Sequence, residues 1–122
     1  MLRVGDLEKS ITFYTKVLGM TLLRQKEYPK GKFTLAFLGY GTEAENTALE
    51  LTYNWDKDNY EIGTGFGHIA INVADVYEAV DKAKEKGAEV IREAGPMSAG
   101  TTIVGFLKDP DGYEIELLSK EF

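Results

Sequence analysis

Val4-Gly5-Asp6-Leu7 near the start of the chain and Val73-Ala74-Asp75-Val76 in its middle are two copies of one signal. In each copy the Asp occupies a helix N-cap position, where its carboxylate accepts hydrogen bonds from the first free amide groups of a helix. The two copies are offset by about 69 residues, and Leu35-Ala36-Phe37-Leu38 matches Val104-Gly105-Phe106-Leu107 at the same offset. The chain of 122 residues therefore contains an internal repeat.

Each copy predicts one helix followed by three strands. The first helix is predicted from Leu7 to about Leu18 and the second from Val76 to about Lys86, and each is followed by a Gly suited to the left-handed C′ position. Alternating apolar residues predict strands over Met20–Tyr28, Lys32–Tyr40, Thr47–Asn54, Gly67–Val73, Ala88–Glu93, Thr101–Lys108 and Tyr113–Ser119. Asp109-Pro110-Asp111-Gly112 predicts a tight turn between the last two strands.

The predicted fold is α+β, built from two repeated βαβββ modules. Residues 1–60 form the first module and residues 61–122 the second, and together they make a single domain. The opening strand of the first module is expected to be truncated, because Met1 stands only three residues before Val4.

Composition excludes several function classes. A net charge of −6 and a pI near 4.8 argue against binding to nucleic acid or an anionic membrane. The absence of Cys excludes disulfides and thiolate chemistry, and the apolar runs are too short for a membrane span or a signal peptide, so we expect a cytoplasmic protein. The single His means that a site with two imidazoles must take one from a second chain or from residues beyond this sequence.

Strand parity places three polar residues on one predicted surface. If the apolar rows of the strands pack beneath the helices, His68, Glu50 and Glu116 all face away from the helices. Taken singly, each residue is more often a solvated or satisfied polar side chain than a functional one. Two of the three, Glu50 and Glu116, occupy equivalent positions of the repeat.

The repeat also predicts a counterpart of His68. That counterpart falls two residues before Met1, outside the sequence. Two His and two carboxylates form a site for a first-row divalent metal with room for water or substrate oxygens. We therefore predict a metal site that this chain supplies only in part.

Five segments give the sequence a specific resemblance that covers essentially all 122 residues. The segments are Met1–Leu7, Phe13–Met20, Ala48–Asn54, Gly67–Ala70 and Asp109–Leu117. The sequence resembles glyoxalase I (lactoylglutathione lyase) of the vicinal oxygen chelate superfamily, in its short bacterial form. The resemblance implies a divalent metal, nickel or cobalt in preference to zinc, and glutathione as co-substrate.

By this resemblance the metal ligands are Glu50, His68 and Glu116, with a fourth, a His, just upstream of Met1. The family is a homodimer with its sites at the chain interface, which would combine Glu50 of one chain with His68 and Glu116 of the other. The implied reaction converts the hemithioacetal of methylglyoxal and glutathione into S-lactoylglutathione. Glu116 would move the proton between adjacent carbons, and Glu50 would serve the opposite face of the hemithioacetal.

The resemblance assigns the glutathione contacts to Arg3, Asn54 and Arg92. Without it, Arg3 reads as a surface residue at a frayed terminus and Asn54 as a turn residue. In an acidic protein, Arg3 could bind an anionic carboxylate of the ligand through charge-assisted hydrogen bonds.

Two other function classes stay open on the sequence. One is another metal enzyme of the same superfamily, such as an epimerase or a dioxygenase. The other is a non-catalytic small-molecule binding module, which would need no metal ligands. Because the counterpart of His68 is outside the sequence, we expect this chain to bind metal weakly and to turn over slowly.

Overall fold

The computed structural model describes residues 1–119, and it confirms the predicted α+β class. Eight strands and two α-helices lie within this range. In chain order they are β1 (Leu2–Arg3), α1 (Leu7–Thr12), β2 (Thr21–Tyr28), β3 (Phe33–Gly39), β4 (Ala48–Asn54), β5 (His68–Asn72), α2 (Val76–Glu85), β6 (Glu89–Pro96), β7 (Ile103–Lys108) and β8 (Glu114–Leu118).

The strands form two four-stranded sheets of the same topology. The strand orders are β1-β4-β3-β2 and β5-β8-β7-β6, and in each sheet the first pair is parallel while the others are antiparallel. The first sheet belongs to a compact unit, Met1–Glu61, and the second to a unit that begins at Ile62. Each unit thus has the predicted order of strand, helix and three strands.

Both helices begin at the predicted caps. Asp6 Oδ1 accepts a hydrogen bond from the Lys9 amide at 3.1 Å, and Asp75 Oδ1 accepts one from the Glu78 amide at 3.1 Å. These bonds satisfy amide groups that have no partner within the helix. The two Asp residues of the repeated signal therefore fix where each helix starts.

The first helix differs from the prediction, because the α-helix ends at Thr12 and a π-helical turn, Phe13–Val17, follows it. The Leu18 amide donates to the Phe13 carbonyl, five residues back, at 3.3 Å. The Thr15 hydroxyl donates a hydrogen bond to the Ile11 carbonyl at 2.7 Å. It therefore competes with the backbone amide that would bind this carbonyl in a regular α-helix. The helical segment therefore ends at Val17, close to the predicted Leu18, but its second half is π-helical.

An apolar layer lies between each sheet and its helix. In the second unit, Val76 and Val80 of α2 pack on Gly105 of β7. Alternate residues of the central strands point toward this layer, and no helix of residues 1–119 covers the other face of either sheet. The largest fully buried apolar side chains are Val4, Tyr14, Leu38 and Leu51 in the first unit, and Val76, Val80, Leu107, Ile115 and Leu117 in the second.

Strand β6 continues three residues beyond the predicted end at Glu93. It extends to Pro96 and crosses two irregularities in its pairing with β7. The sequence Gly95-Pro96 resembles a strand stop, but β6 is an edge strand, where a missing amide donor costs no ladder bond. Neither helix of residues 1–119 has the length and apolar character required to cross a membrane.

Candidate active site

His68 and Glu116 meet on the helix-free face of the second sheet. The His68 Nε2 atom lies 2.7 Å from Glu116 Oε2. The side chain of His68 is 41% exposed and that of Glu116 is 17% exposed. The register aligns Ala70 with Glu116, so β5 and β8 hold the pair across a parallel ladder. A nitrogen donor and an oxygen donor therefore converge at an accessible place.

Phe106 holds the His68 ring from the side. The two ring centroids are 5.4 Å apart and the planes are nearly perpendicular, at 87°. This edge-to-face arrangement is a favourable aromatic geometry. Phe106 is also the cross-strand partner of Glu116, so one residue of β7 contacts the imidazole and neighbours the carboxylate. The sequence showed Phe106 only as part of a repeated strand motif.

A cavity of about 780 Å³ adjoins Glu116. Its walls are formed by the start of β7, the end of β8 and the segment between β6 and β7. The lining combines apolar side chains, among them Met97 and Leu118, with the hydroxyl-bearing Thr101 and Thr102. This volume is in the range of small-molecule sites, and the carboxylate forms part of its wall.

The first unit carries Glu50 at the equivalent place of its own sheet. Thr52 Oγ1 lies 3.4 Å from Glu50 Oε2, a long hydrogen bond. Arg3 aligns with Thr52, which puts it on the same face, and Asn54 donates from Nδ2 to the Tyr60 hydroxyl at 3.0 Å. The predicted residues of this unit therefore share one face of β1 and β4.

A residue absent from the predicted set, Arg24, lies on that face as well. It is the cross-strand partner of Phe37, which in turn is the partner of Glu50. Its guanidinium carbon lies 3.6 Å from the centroid of the Phe37 ring. Its Nε and Nη2 atoms donate to the two carboxylate oxygens of Glu43 at 2.8 and 3.1 Å.

The charges around Arg24 shift its pKa and that of its partner. The hydrogen bond to Glu43 is the main cause that raises the pKa of Arg24, and the charge of Glu50 contributes in the same direction. The hydrogen bond from Arg24 likewise holds the pKa of the Glu43 carboxyl below its ordinary value of 4.5. Both side chains are thus charged at neutral pH.

Arg92, predicted to contact the ligand, donates its side-chain hydrogen bonds to backbone carbonyl groups of this chain. Its Nη2 atom donates to the Pro96 carbonyl at 2.8 Å and its Nη1 atom to the Val104 carbonyl at 3.3 Å. These bonds hold the guanidinium against the end of β6 and the start of β7.

The predicted ligands fall in the two units as follows. His68 and Glu116 are in contact within the second unit, and Glu50 belongs to the first. Across residues 1–119, no group of three or more His, Cys, Asp or Glu side chains is arranged to hold a metal ion within one chain. The complete ligand set stays a prediction.

A repeated βαβββ unit that presents polar side chains on an open sheet face defines the class of protein. The model of the Glyoxalase/Bleomycin resistance protein/Dioxygenase superfamily matches residues 1–117, and the chain belongs to this family. A protein of Synechocystis sp. named probable lactoylglutathione lyase is 59% identical over 118 residues, which are 97% of this chain and 90% of that protein.

Two solved structures share the fold and much of the sequence. Glyoxalase I from Zea mays superposes with a TM-score of 0.95 at 49% identity over 99% of this chain. This chain spans only 43% of the maize chain. Glyoxalase I from Leishmania major, described as trypanothione-dependent, gives a TM-score of 0.88 at 46% identity, covering 98% of this chain and 83% of that one.

Proposed function

We propose that this chain is a lactoylglutathione lyase, which isomerises the hemithioacetal of methylglyoxal and glutathione to S-lactoylglutathione. The observation that carries the proposal is the contact of His68 with Glu116, a residue that lines a cavity of about 780 Å³. The 59% identity to a relative named probable lactoylglutathione lyase, over nearly the whole chain, supports the same reaction.

The pair His68 and Glu116 fits a divalent metal ion. An imidazole nitrogen and a carboxylate oxygen 2.7 Å apart, both partly exposed, are ligands that suit nickel, cobalt and zinc. We infer nickel or cobalt in preference to zinc, with Glu50 as a further ligand. When bound, the cation supplies positive charge that stabilises negative charge on the two adjacent oxygens of the substrate.

Glu116 is the proposed base. Its carboxylate accepts the proton from the carbon that bears the hydroxyl group and returns it to the neighbouring carbon, while the hydroxyl proton passes from the first oxygen to the second, so that the product is an isomer of the hemithioacetal. The cavity beside Glu116 gives the reacting carbons a place close to this carboxylate. Phe106 stabilises the orientation of His68 and so helps to keep the imidazole next to the base.

The proposed assembly is a homodimer with its sites at the chain interface. Each site would combine Glu50 of one chain with His68 and Glu116 of the other, and Glu50 would serve the opposite face of the hemithioacetal. The equivalent placement of Glu50 and Glu116 on the two sheets supports this division of labour. Each chain has a single His, so the proposed site combines the His68 half-site of one chain with groups from another chain.

Glutathione would be held by groups on the same sheet faces. Arg3 and Asn54 share the face of Glu50, so a cation and an amide flank the proposed ligand. Arg92 is the weaker candidate, because its guanidinium already donates to two carbonyls. We place this reaction in the cytoplasm, with which a chain lacking Cys is compatible.

The test combines metal binding with turnover. We expect the purified chain to bind Ni²⁺ weakly but measurably in calorimetry and to convert the hemithioacetal slowly, followed by the ultraviolet absorbance of the thioester. Glu116→Gln is expected to lower kcat by about 100-fold or more, because it removes the base. Glu78→Gln removes the same charge from the exposed face of α2 and serves as the control.

Each alternative function predicts a different result. Binding of S-methylglutathione without turnover at any tested metal concentration would favour a non-catalytic binding module. Turnover that is equal in the wild type and in Glu116→Gln would contradict the role of Glu116. Activity on other substrates only would indicate another enzyme of the family.

A further inference from the structure

We propose that Arg24 binds a carboxylate group of the glutathione moiety, as a second anion-binding arginine of the first sheet in addition to Arg3. This inference rests on the proposed function and adds to it a residue that the sequence prediction did not contain. Three observations carry it: the place of Arg24 in a repeated row of side chains, the hydrogen-bonding edge that it leaves open, and the contacts that hold it in position.

The two sheets repeat the same row of three side chains on their helix-free faces. In the first sheet the cross-strand partners are Arg24, Phe37 and Glu50. In the second sheet the corresponding partners are Arg92, Phe106 and Glu116. Because directly paired residues project from the same face of a sheet, each Arg is separated from a proposed metal-ligating carboxylate by one aromatic ring. Both arginines are therefore placed to meet a ligand at that carboxylate.

The two arginines differ in which of their guanidinium nitrogens already donate hydrogen bonds within the chain. Arg92 uses both Nη atoms on backbone carbonyls. Arg24 instead uses its side edge, Nε and Nη2, for Glu43. The Nη1 atom of Arg24 has no hydrogen-bond partner among residues 1–119, so the end edge of the fork formed by Nη1 and Nη2 is open. That edge has the geometry to bind a carboxylate through two parallel hydrogen bonds.

The guanidinium of Arg24, with its open edge, is also held in a fixed position by contacts within the chain. Glu43 fixes one side of the guanidinium, and the Phe37 ring lies beneath it at 3.6 Å. A side chain that is already ordered loses little conformational freedom on binding. Because the chain carries a net charge of −6 and Glu43 offsets the charge of Arg24, an anionic ligand would be bound here through directed hydrogen bonds from the open edge rather than through long-range attraction.

The experiment measures Arg24→Gln against Arg92→Gln. We expect Arg24→Gln to raise KM for the hemithioacetal by about tenfold or more while kcat changes little, since a charge-assisted contact is lost. The affinity for S-methylglutathione, measured by calorimetry, should fall by a similar factor. Arg92→Gln should change both quantities less, and Lys82→Gln is the charge-matched control on the exposed face of α2.

Two ligand variants identify the carboxylate that Arg24 contacts. S-methylglutathione is compared with its glycine amide and with the analogue whose γ-glutamyl α-carboxylate is removed. For the carboxylate that Arg24 binds, the loss caused by Arg24→Gln should disappear when that group is absent from the ligand. Glu43→Gln, which frees the guanidinium, should weaken binding less than Arg24→Gln does.

The outcomes separate this inference from the proposed function. A wild-type chain that neither turns over the hemithioacetal nor binds S-methylglutathione would contradict the proposed function. A wild-type chain that does both, together with an Arg24→Gln variant of unchanged KM and unchanged affinity, would overturn only the assignment of Arg24. Equal losses for all three ligands would also overturn it, because they would show that Arg24 acts through the fold.

Discussion

At the scale of single residues, the chemistry of the site depends on which atoms of a side chain are already engaged. His68 and Glu116 are predictable from strand alternation, because period-two patterns fix the face from which each residue projects. The ring of Phe106 against His68 and the open edge of Arg24 are not predictable in this way. They depend on cross-strand neighbours that are ten or more residues apart in the chain.

The ion pair of Arg24 with Glu43 predicts a dependence of stability on pH. Arg24 lowers the pKa of Glu43, so the carboxylate binds its proton more weakly in the folded chain than in the unfolded one. Its stabilising contribution is therefore present above the unfolded pKa and is lost as the pH falls through the lower, folded pKa. We expect the difference in unfolding free energy between the wild type and Glu43→Gln to vanish in this acidic range.

Urea unfolding at a series of pH values measures this difference. Glu45→Gln is the matched control, because Glu45 belongs to the same loop and makes no ion pair within residues 1–119. A difference that stays constant down to the most acidic pH would show that the pair does not couple to folding.

At the scale of elements, the two modules share a register and differ in one helix. Leu2 aligns with Leu51 as Ile71 aligns with Leu117, which are equivalent positions of the repeat. The interval from Asp6 to Gly19, however, is one residue longer than that from Asp75 to Gly87. A π-helical turn adds one residue without changing the face of the helix, and Phe13–Val17 supplies it.

Gly105 marks the closest approach of α2 to its sheet. A methyl group there would lie 2.8 Å from Val80 Cγ2 and 3.4 Å from Val76 Cγ1. We expect Gly105→Ala to lower the unfolding free energy by about 1–3 kcal/mol through overpacking. Urea denaturation tests this, with Gly95→Ala as the control, since a methyl group at Gly95 meets nothing within 4 Å. Equal effects of the two substitutions would contradict the packing explanation.

The N-cap of α2 predicts a second, smaller effect on stability. Asp75→Ala removes the acceptor of the Glu78 amide and should lower the unfolding free energy by about 1 kcal/mol. Asp75→Asn keeps an oxygen at the same place and should retain most of the stability. Thermal unfolding of both variants compares them, and an equal loss in both would indicate that the charge of Asp75, rather than its hydrogen bond, stabilises the helix.

At the scale of the whole molecule, each unit brings part of the proposed site. The second unit holds the pair His68 and Glu116, and the first holds Glu50 with Arg24 beside it. In the proposed homodimer, a symmetric interface makes two identical sites from these parts. The arrangement predicts that two defective chains can restore one another.

Mixing Glu50→Gln with Glu116→Gln tests this arrangement. If each site combines Glu50 of one chain with Glu116 of the other, a mixed dimer has one intact site and one site with both substitutions. Random reassociation from denaturant should then restore about a quarter of the wild-type activity, because about half of the dimers are mixed. Each variant refolded alone is the control. No recovery on mixing would show that both carboxylates of a site come from the same chain.

Local patterns along the chain specify the repeat, the helix caps, the strand alternation and the faces of His68, Glu50 and Glu116. The π-helical turn at Phe13, the continuation of β6 to Pro96 and the open edge of Arg24 depend instead on hydrogen bonds that these patterns do not encode. In the helix, a side-chain hydroxyl takes the carbonyl of the preceding turn; at β6 and Arg24, the partners lie on a neighbouring strand or loop, so the donors that stay unused are set only in the folded chain.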